Sequence, residues 1–273
     1  MRAVAFARRA TSVARRFHAP HAESASQIRS ARRHVASSSA TKDTGASDDD
    51  DDMVFDASAR VRTGKVVREE AVHSRYLTVY ERVVEFEAQV GDAASDGTTR
   101  RFAYDVVGHP KGDFKFACVA PFHPRETTKS GEPEFTIVRE YAQGSNSECI
   151  VLPSGCFERG KHSTMTDVAV EELHEEARLT NAKIVKLIGD DNPGLLETKW
   201  CMNRLFPFLS IGGEECEDAV RDAEEFNMTH ERVTVKEFKQ LMYSGVVMMP
   251  SIVTGQLAID HLLRNGLITV DDL

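Results

Sequence analysis

The feature that most limits the fold is a run of short alternating strands interrupted by one well-marked helix. Period-two apolar patterns predict strands in YLTVYERVVEFEAQV, RFAYDVV, FKFACVAPF, FTIVREY and CIVLPSG. The helix is predicted over about residues 165–179, with Thr164 as its N-cap and Asp167 as the partner in a capping box. Two more strands follow, KIVKLIG and WCMNRLFPFLSI, and then two helical patterns that end at Gly245 and Gly266.

This order of elements predicts an α/β fold in which a mixed sheet lies between helices, an α/β/α sandwich. Ser251 is the candidate N-cap of the last helix. The first strands predict a small N-terminal β subdomain over residues 73–107, with a turn at residues 91–99. Residues 108–273 then form the main domain.

The charge is distributed unevenly along the 273 residues. Residues 1–42 hold eight Arg and Lys42 against the single acid Glu23, a net charge of +8, so that the rest of the chain carries −17 of the total of −9. An acid-poor, Arg-rich leader is typical of an organellar transit peptide, for the mitochondrial matrix or alternatively the plastid stroma. A basic arm that binds nucleic acid or lipid is the other interpretation. The acidic remainder argues against general binding of nucleic acid.

The segment after the leader has too little apolar content to fold by itself. Residues 43–72 include the run Asp48–Asp52 and predict a disordered acidic linker. No stretch approaches the roughly 18 consecutive apolar residues of a membrane-spanning helix, so we expect no membrane insertion. The five cysteines are scattered and form no CxxC, which favours reduced thiols over a zinc site.

The central helix carries three carboxylates on one side, those of Glu172, Glu175 and Glu176. Like charges at this spacing repel each other by a few tenths of a kcal/mol per pair. The cluster becomes favourable when it binds a hard divalent cation, Mg²⁺ or Mn²⁺, through oxygen ligands. The alternative is a solvated acidic face of the helix without a ligand.

A family resemblance extends this interpretation. Gly155, followed by Glu172-Leu173-His174-Glu175-Glu176 and Leu179, resembles the Nudix box, G-x5-E-x7-R-E-U-x-E-E-x-G-U with U aliphatic. The upstream segment VREYAQGSNSECIVLPSG and the downstream NPGLLETKW resemble the ADP-sugar and ADP-ribose pyrophosphatase branch. The resemblance covers roughly residues 102–263 and implies a Nudix-type sandwich.

The chain also departs from the box. Two extra residues separate Gly155 from Glu172, Lys161 stands where the box has its first Glu, and Arg178 replaces the box Gly. Glu171 stands in place of the box Arg, so the ion pair that usually holds a helix carboxylate is expected to be missing. The resemblance is therefore to a divergent member.

The resemblance implies a hydrolase that cleaves a nucleoside diphosphate linked to another moiety, by attack of water on phosphorus. Glu172 and Glu176 would bind Mg²⁺ or Mn²⁺ directly, Glu175 would bind the metal or its water, and the Ser154 carbonyl could add an oxygen. The general base is expected from outside the box, with three candidates, although each taken singly is better explained as an ordinary surface acid: Glu197, Glu224 and Glu225.

Three positions are expected to contact the substrate. Gly155 would let the backbone approach a phosphate, and Arg139 would point at the phosphates, unless it forms a surface ion pair instead. Tyr141 would stack on a base, with Phe122 and Trp200 as further candidates, although such residues more often pack within the protein.

The sequence also allows other functions for this fold. A catalytically weak or inactive nucleotide-binding module keeps the fold and is favoured by the altered box. An isopentenyl diphosphate isomerase has the same fold but is disfavoured, because the box has no matched Cys and acid pair. The N-terminal strands also resemble the subdomain through which ADP-sugar pyrophosphatases pair, which implies a homodimer, although exposed hairpins also pack on their own domain.

Overall fold

A computed structural model of the protein describes residues 64–87, 99–216 and 227–273. These residues belong to one compact unit that spans residues 60–273. The leader predicted over residues 1–42 lies outside the described residues. Within the described part, no helix has the length and apolar character needed to cross a membrane.

The N-terminal strands form an antiparallel sheet of their own, as predicted. The sheet has three strands in the order β1-β2-β3, which are Lys65–Ser74, Thr78–Phe86 and Arg100–Gly108. The predicted linker over residues 43–72 was too long at its C-terminal end, because Lys65 already pairs with Glu85. Charged side chains make this segment resemble a linker, but cross-strand ion pairs such as Arg82–Glu69 at 2.5 Å stabilise it as a strand.

The main sheet is mixed. Its path is β10-β11-β4-β5-β13, with β6 paired to β5, β7 to β4 and β9 to β11. Only β11 and β4 run parallel within this described sheet. The strands are β4 Lys115–His123, β5 Glu134–Ala142, β6 Ser147–Val151, β7 Ser154–Cys156, β9 Lys183–Lys186, β10 Leu195–Leu196, β11 Arg204–Ile211 and β13 Thr229–Thr234. A separate ladder pairs β8 Leu179–Thr180 with β12 Glu214–Glu215.

Helices cover both faces of the main sheet. They are α1 Met165–Glu175, α2 Val235–Met242 and α3 Met249–Arg264. In β4, Ala117 and Val119 pack into the cluster under α1, whereas Cys118, Ala120 and Phe122 pack into the cluster under α2 and α3. Because side chains alternate between the faces of a strand, β4 contributes to two cores. The predicted α/β/α sandwich with an N-terminal β subdomain is confirmed.

The start of α1 is also as predicted. Thr164 Oγ1 accepts a hydrogen bond from Asp167 N at 3.2 Å, and the Asp167 carboxylate accepts one from Thr164 N at 2.7 Å. The helix ends at Glu175, earlier than the predicted residue 179. Arg178 has a φ of 54° in the left-handed region, so the chain leaves the helical direction before β8.

The predicted cap of α3 was wrong. The helix begins after Met248, whose side chain makes no capping hydrogen bond, and Pro250 lies in its first turn. Ser251 is buried, and its hydroxyl accepts a hydrogen bond from Leu152 N at 2.9 Å. Ser251 therefore ties α3 to the end of β6.

Candidate active site

A cleft of about 1020 Å³ contains two of the predicted metal-binding glutamates. Several parts of the chain line it: Tyr76, His109, Lys111, Gly112, Glu140, Tyr141, Gln143, Ser154, Gly155, Cys156, Phe157, Glu158, Arg159, Glu172, Glu176, Asn227 and Met228. A smaller cavity of about 170 Å³ beside the start of α1 includes none of the helix glutamates. We therefore place the candidate active site in the larger cleft.

Glu172 and Gly155 are in direct contact in this cleft. A β-carbon added at Gly155 would lie 1.7 Å from Glu172 Oε1 and 2.3 Å from Glu172 Cδ. Both separations are far below the 3.4 Å at which ordinary van der Waals contact begins, so any side chain at position 155 would displace the carboxylate. Gly155 does not need a left-handed backbone here. An added β-carbon would instead force the Glu172 carboxylate to move, because that carboxylate occupies the space.

Glu176 is the most deeply placed carboxylate of the cleft. It is 5% exposed, and its Oε2 accepts a hydrogen bond from Ser154 N at 2.8 Å. Its own N–H donates to Glu172 O at 3.0 Å, which continues the last turn of α1. A buried carboxylate is costly unless it is hydrogen-bonded or binds a cation. β7 and α1 together therefore hold two carboxylates at one wall of the cleft.

The ion pair that the altered box was expected to lose is present with its charges reversed. Lys161 Nζ lies 2.6 Å from Glu171 Oε1. Burial by itself would raise the pKa of Glu171, but the contacts with Lys161 and His162 outweigh it and hold that pKa below its usual value. The expectation of a missing pair was wrong because two substitutions of opposite sign compensate each other in space.

His162 adds a second link between the same loop and α1. Its side chain is almost completely buried, and Nδ1 accepts a hydrogen bond from Glu158 N at 2.9 Å. Nε2 therefore carries the proton and donates to Glu171. The extended loop between Gly155 and α1 is thus fastened to the helix at the residue that precedes Glu172.

Glu175 is placed differently from the other two glutamates. It is not among the residues that line the cleft, and its charge contributes to raising the pKa of Lys161, after the larger effects of Glu171 and Glu158. Glu175 follows Glu171 by four residues on α1, so it lies on the side of the helix that pairs with Lys161. Its predicted roles in binding metal or water stay predictions.

The two substrate-binding side chains predicted on β5 are separated. Tyr141 lines the cleft, is half exposed, and donates its hydroxyl to Asn146 Oδ1 at 2.5 Å. Arg139 is not among the lining residues, and it pairs with Glu231 at 2.7 Å and Glu148 at 3.3 Å. This arrangement agrees with the surface ion pair that was the alternative for Arg139. Its predicted contact with phosphate stays a prediction.

The other aromatic candidates do not reach the cleft. Phe122 is fully buried in the core and packs against Phe135, with ring centroids 5.7 Å apart. Trp200 is exposed and lies 5.0 Å from Lys199 Nζ, outside the lining residues. Phe122 is therefore wrong as a stacking residue, because an alternating strand position directs it into the core under α2 and α3.

One predicted general base can be located. Glu197 Oε2 accepts a hydrogen bond from Cys201 Sγ at 3.1 Å. Burial raises the pKa of the cleft residue Cys156 to about 11, with contributions from Glu172, Glu158 and Glu197 in decreasing order. Glu197 therefore lies within electrostatic reach of the cleft. Glu225 and its neighbour Glu224 lie outside the described residues.

Sequence reasoning missed the part of the cleft that precedes β4. Tyr76, His109 and Lys111 line it, and the rings of Tyr76 and His109 have centroids 4.8 Å apart. The available signal was the segment GHPKGDF, in which Gly and Pro mark a turn that carries His and Lys between two strands. Such a turn is common, and only the fold shows that it faces the glutamates' cleft.

Comparison with known proteins supports the fold. No protein-family model matches the chain. A search of the curated proteins finds no match. Among the solved structures, a crystal structure of an ADP compounds hydrolase matches with a TM-score of 0.57 at 16% sequence identity, over 76% of this chain and 98% of that one. The similarity shows a Nudix-like fold, in agreement with the prediction from the box.

Proposed function

We propose that the chain is a metal-dependent hydrolase of a nucleoside diphosphate linked to another moiety, with an ADP-sugar-like compound as substrate. The observation that carries this proposal is the pair of carboxylates in the cleft. Glu172 lies against Gly155, and Glu176 accepts a hydrogen bond from Ser154 N. The fold that this chain shares with an ADP compounds hydrolase supports the same class of substrate.

The donor atoms at this wall fit a hard divalent cation. Glu172 and Glu176 offer carboxylate oxygens, and the neighbouring backbone of Ser154 offers a further oxygen. The described residues contain no group of three His, Cys, Asp or Glu side chains arranged to hold a metal ion. Two carboxylates are sufficient for Mg²⁺, which usually completes its coordination with water and substrate phosphates. A bound Mg²⁺ or Mn²⁺ would neutralise charge on the phosphates and lower the pKa of water.

The chain's own residues would hold the carboxylates and accept a proton. Ser154 N keeps Glu176 oriented, and the contacts of Lys161 and His162 with Glu171 hold the loop beside Glu172. Glu197 is the candidate for the general base among the described residues, and its charge adds the smallest of three carboxylate contributions to the raised pKa of the cleft residue Cys156.

A nucleotide-binding module without turnover is the second candidate function. The altered box favours it, since Glu171 and Arg178 stand in place of the box Arg and Gly. So does the position of Glu175 towards Lys161, which leaves two glutamates in the cleft.

The decisive experiment measures hydrolysis by the full chain. ADP-ribose, ADP-glucose, NADH and coenzyme A are incubated with Mg²⁺ or Mn²⁺, and release of a nucleoside monophosphate is measured. Glu176→Gln removes the charge at the buried site, and Glu126→Gln does so at an exposed position on the Arg125–Thr127 turn. We expect metal-dependent release that Glu176→Gln abolishes and Glu126→Gln retains. Measurable nucleotide binding without release would favour the binding module.

We also propose that the protein is a homodimer that pairs through the N-terminal sheet. One face of this sheet exposes apolar side chains around Val84: Val66, Phe86, Phe102 and Tyr104 are each 39–49% exposed. Phe102 lies 6.2 Å from Phe86 and 6.4 Å from Tyr104 between ring centroids. A contiguous apolar face of this kind is typical of an interaction surface.

The Arg-rich leader carries a separate proposal about location. We propose that it directs the protein to the mitochondrial matrix or, alternatively, to the plastid stroma.

A further inference from the structure

The turn that joins the N-terminal sheet to β4 is built rigidly. It contains a short 3-10 helix, Pro110–Gly112. Gly112 N and Phe114 N both donate to His109 O at 3.1 Å, and Asp113 N donates to Pro110 O at 3.2 Å. Asp113 and Phe114 have φ values of 51° and 56°, which non-glycine residues adopt at a cost unless their surroundings enforce it. The turn therefore has one defined conformation.

Contacts with neighbouring segments hold the turn beside the cleft. His109 N donates to Asn203 Oδ1 at 3.0 Å, which attaches it to the segment before β11. Arg159 Nε donates to Asp113 Oδ1 at 2.7 Å, which attaches it to the loop after β7. Gly112 is packed against that loop, since a β-carbon there would lie 3.1 Å from Cys156 Cβ. The turn is fixed relative to the wall that carries Glu172.

Lys111 is the residue that this turn presents to the cleft. It is exposed, and it forms no hydrogen bond or ion pair with the residues that the structure describes. The other strong cation of the lining, Arg159, is already paired with Asp113. Glu140, Glu158, Glu172 and Glu176 line the same cleft and make it acidic. Lys111 therefore supplies a positive charge that nothing in the described part of the protein neutralises.

His109 lies beside Lys111 and offers a neutral donor. Its ring packs on Tyr76, and its Nδ1 is buried without a hydrogen-bond partner in the described structure. Burial, and then the charge of Lys111, lower the pKa of His109, so the ring is neutral at pH 7. A buried acceptor nitrogen without a partner is tolerated more easily than a buried N–H, which favours the tautomer with the proton on Nε2.

We propose that Lys111 binds phosphate oxygens of the substrate's diphosphate, with His109 beside it as a hydrogen-bond donor. The inference rests on the proposed function and names the residue that selects for a diphosphate. An acidic cleft repels a diphosphate, and an unpaired ammonium group carried by an ordered turn offsets part of that repulsion. Because the turn is already ordered, Lys111 binds at a lower entropic cost than a cation on a mobile loop.

The test measures equilibrium binding of ADP, AMP and adenosine to the full chain without divalent metal, by calorimetry. We expect Lys111→Gln to weaken ADP binding about tenfold, equal to about 1.4 kcal/mol, and to leave adenosine unchanged. Lys111→Arg should stay within about threefold of the wild type, since it keeps the charge. His109→Leu should weaken ADP binding severalfold. Lys236→Gln, at an exposed position of α2, is the matched control and should have no effect.

Two further ligands locate the phosphate that Lys111 contacts. Coenzyme A and dephospho-coenzyme A share the diphosphate and differ by one peripheral phosphate. Equal loss of affinity for both in Lys111→Gln supports the diphosphate. A loss confined to coenzyme A would overturn that assignment.

Because binding is measured without turnover, this proposal and the hydrolase proposal fail separately. ADP binding that depends on Lys111 in a protein without hydrolysis would support the site and reject the enzyme. An unchanged ADP affinity in Lys111→Gln, equal losses for ADP and adenosine, or no ADP binding by the wild type would each overturn the proposal for Lys111.

Discussion

Substitution of Gly155 by alanine tests the geometry on which the proposed site depends. The added β-carbon would lie 1.7 Å from Glu172 Oε1, whereas ordinary van der Waals contact begins near 3.4 Å. Since the backbone at Gly155 is not left-handed, alanine can adopt its conformation, and the nearest atoms that it would meet belong to the Glu172 side chain. The carboxylate oxygen must therefore move by roughly 1.7 Å, or β7 must shift away from α1.

The expected loss follows from this displacement. A misplacement of about 1 Å in a reacting group costs on the order of 100-fold in rate. We expect Gly155→Ala to lower kcat/KM for the best ADP-sugar-like substrate by about 100-fold or more, a loss of about 2.7 kcal/mol in transition-state stabilisation. The free energy of unfolding should fall by at most about 3 kcal/mol, the usual upper value for one methyl group added to a packed site.

The assay combines metal-dependent hydrolysis with urea unfolding. Gly189→Ala is the matched control, because an added β-carbon there meets nothing within 4 Å and its backbone is not left-handed. In a Glu172→Ala background the carboxylate is absent, so Gly155→Ala should cause little further loss of activity or stability. If Gly155→Ala kept kcat/KM within threefold of the wild type, the contact with Glu172 would have no catalytic importance and the reasoning would be refuted.

Three other expectations concern stability and assembly. Lys161→Glu should lower the free energy of unfolding by about 1 kcal/mol, because Lys161 is half exposed and its ion pair is screened, and adding Glu171→Lys should recover at least half of the loss. Burial lowers the pKa of His123 to about 4, assisted by Arg232. The unfolded chain therefore binds the extra proton first, and stability is lost as pH falls from about 6.5 towards 4, by up to about 3 kcal/mol. Phe102→Lys should convert a homodimer into monomers in light scattering, since it places a charge in the exposed apolar face.

Each of these expectations has a contradicting result. The charge exchange contradicts the reversed ion pair if the double variant is no more stable than Lys161→Glu alone. His123→Gln, measured by urea unfolding between pH 4 and 7, should flatten the pH dependence, and an unchanged slope would assign it to other groups. A wild type that is monomeric at all concentrations would remove the homodimer.

Local patterns predicted most of the longer strands and the three helices, although not β1 or β13, and they identified the helix that carries the site. Thr164 and Asp167 predicted the start of α1, because a capping box depends on residues three positions apart. Spacing along that helix placed Glu172 and Glu176 on one side, and both line the cleft. The alternation in β4 predicted a buried strand, and the layered fold followed from the order of strands and helices.

Contacts between distant segments could not be predicted in this way. The sequence showed that Lys161 and Glu171 depart from the box, but only the fold shows that they compensate each other at 2.6 Å. Ser251 had the composition of a cap, yet packing of α3 on β6 directs its hydroxyl to Leu152 N.

Near the cleft, tertiary structure decided which charges are available. Arg139 was the expected phosphate ligand, but pairing of β5 with β6 and β13 brings Glu148 and Glu231 within reach of it. Lys111 has an unremarkable position in the sequence, and the fold leaves it unpaired in the acidic cleft. Residue type and spacing therefore determined which chemical groups this chain can offer. Whether each charged group is paired depended on the segments that the sheet brings together, because these segments supply or withhold its partner.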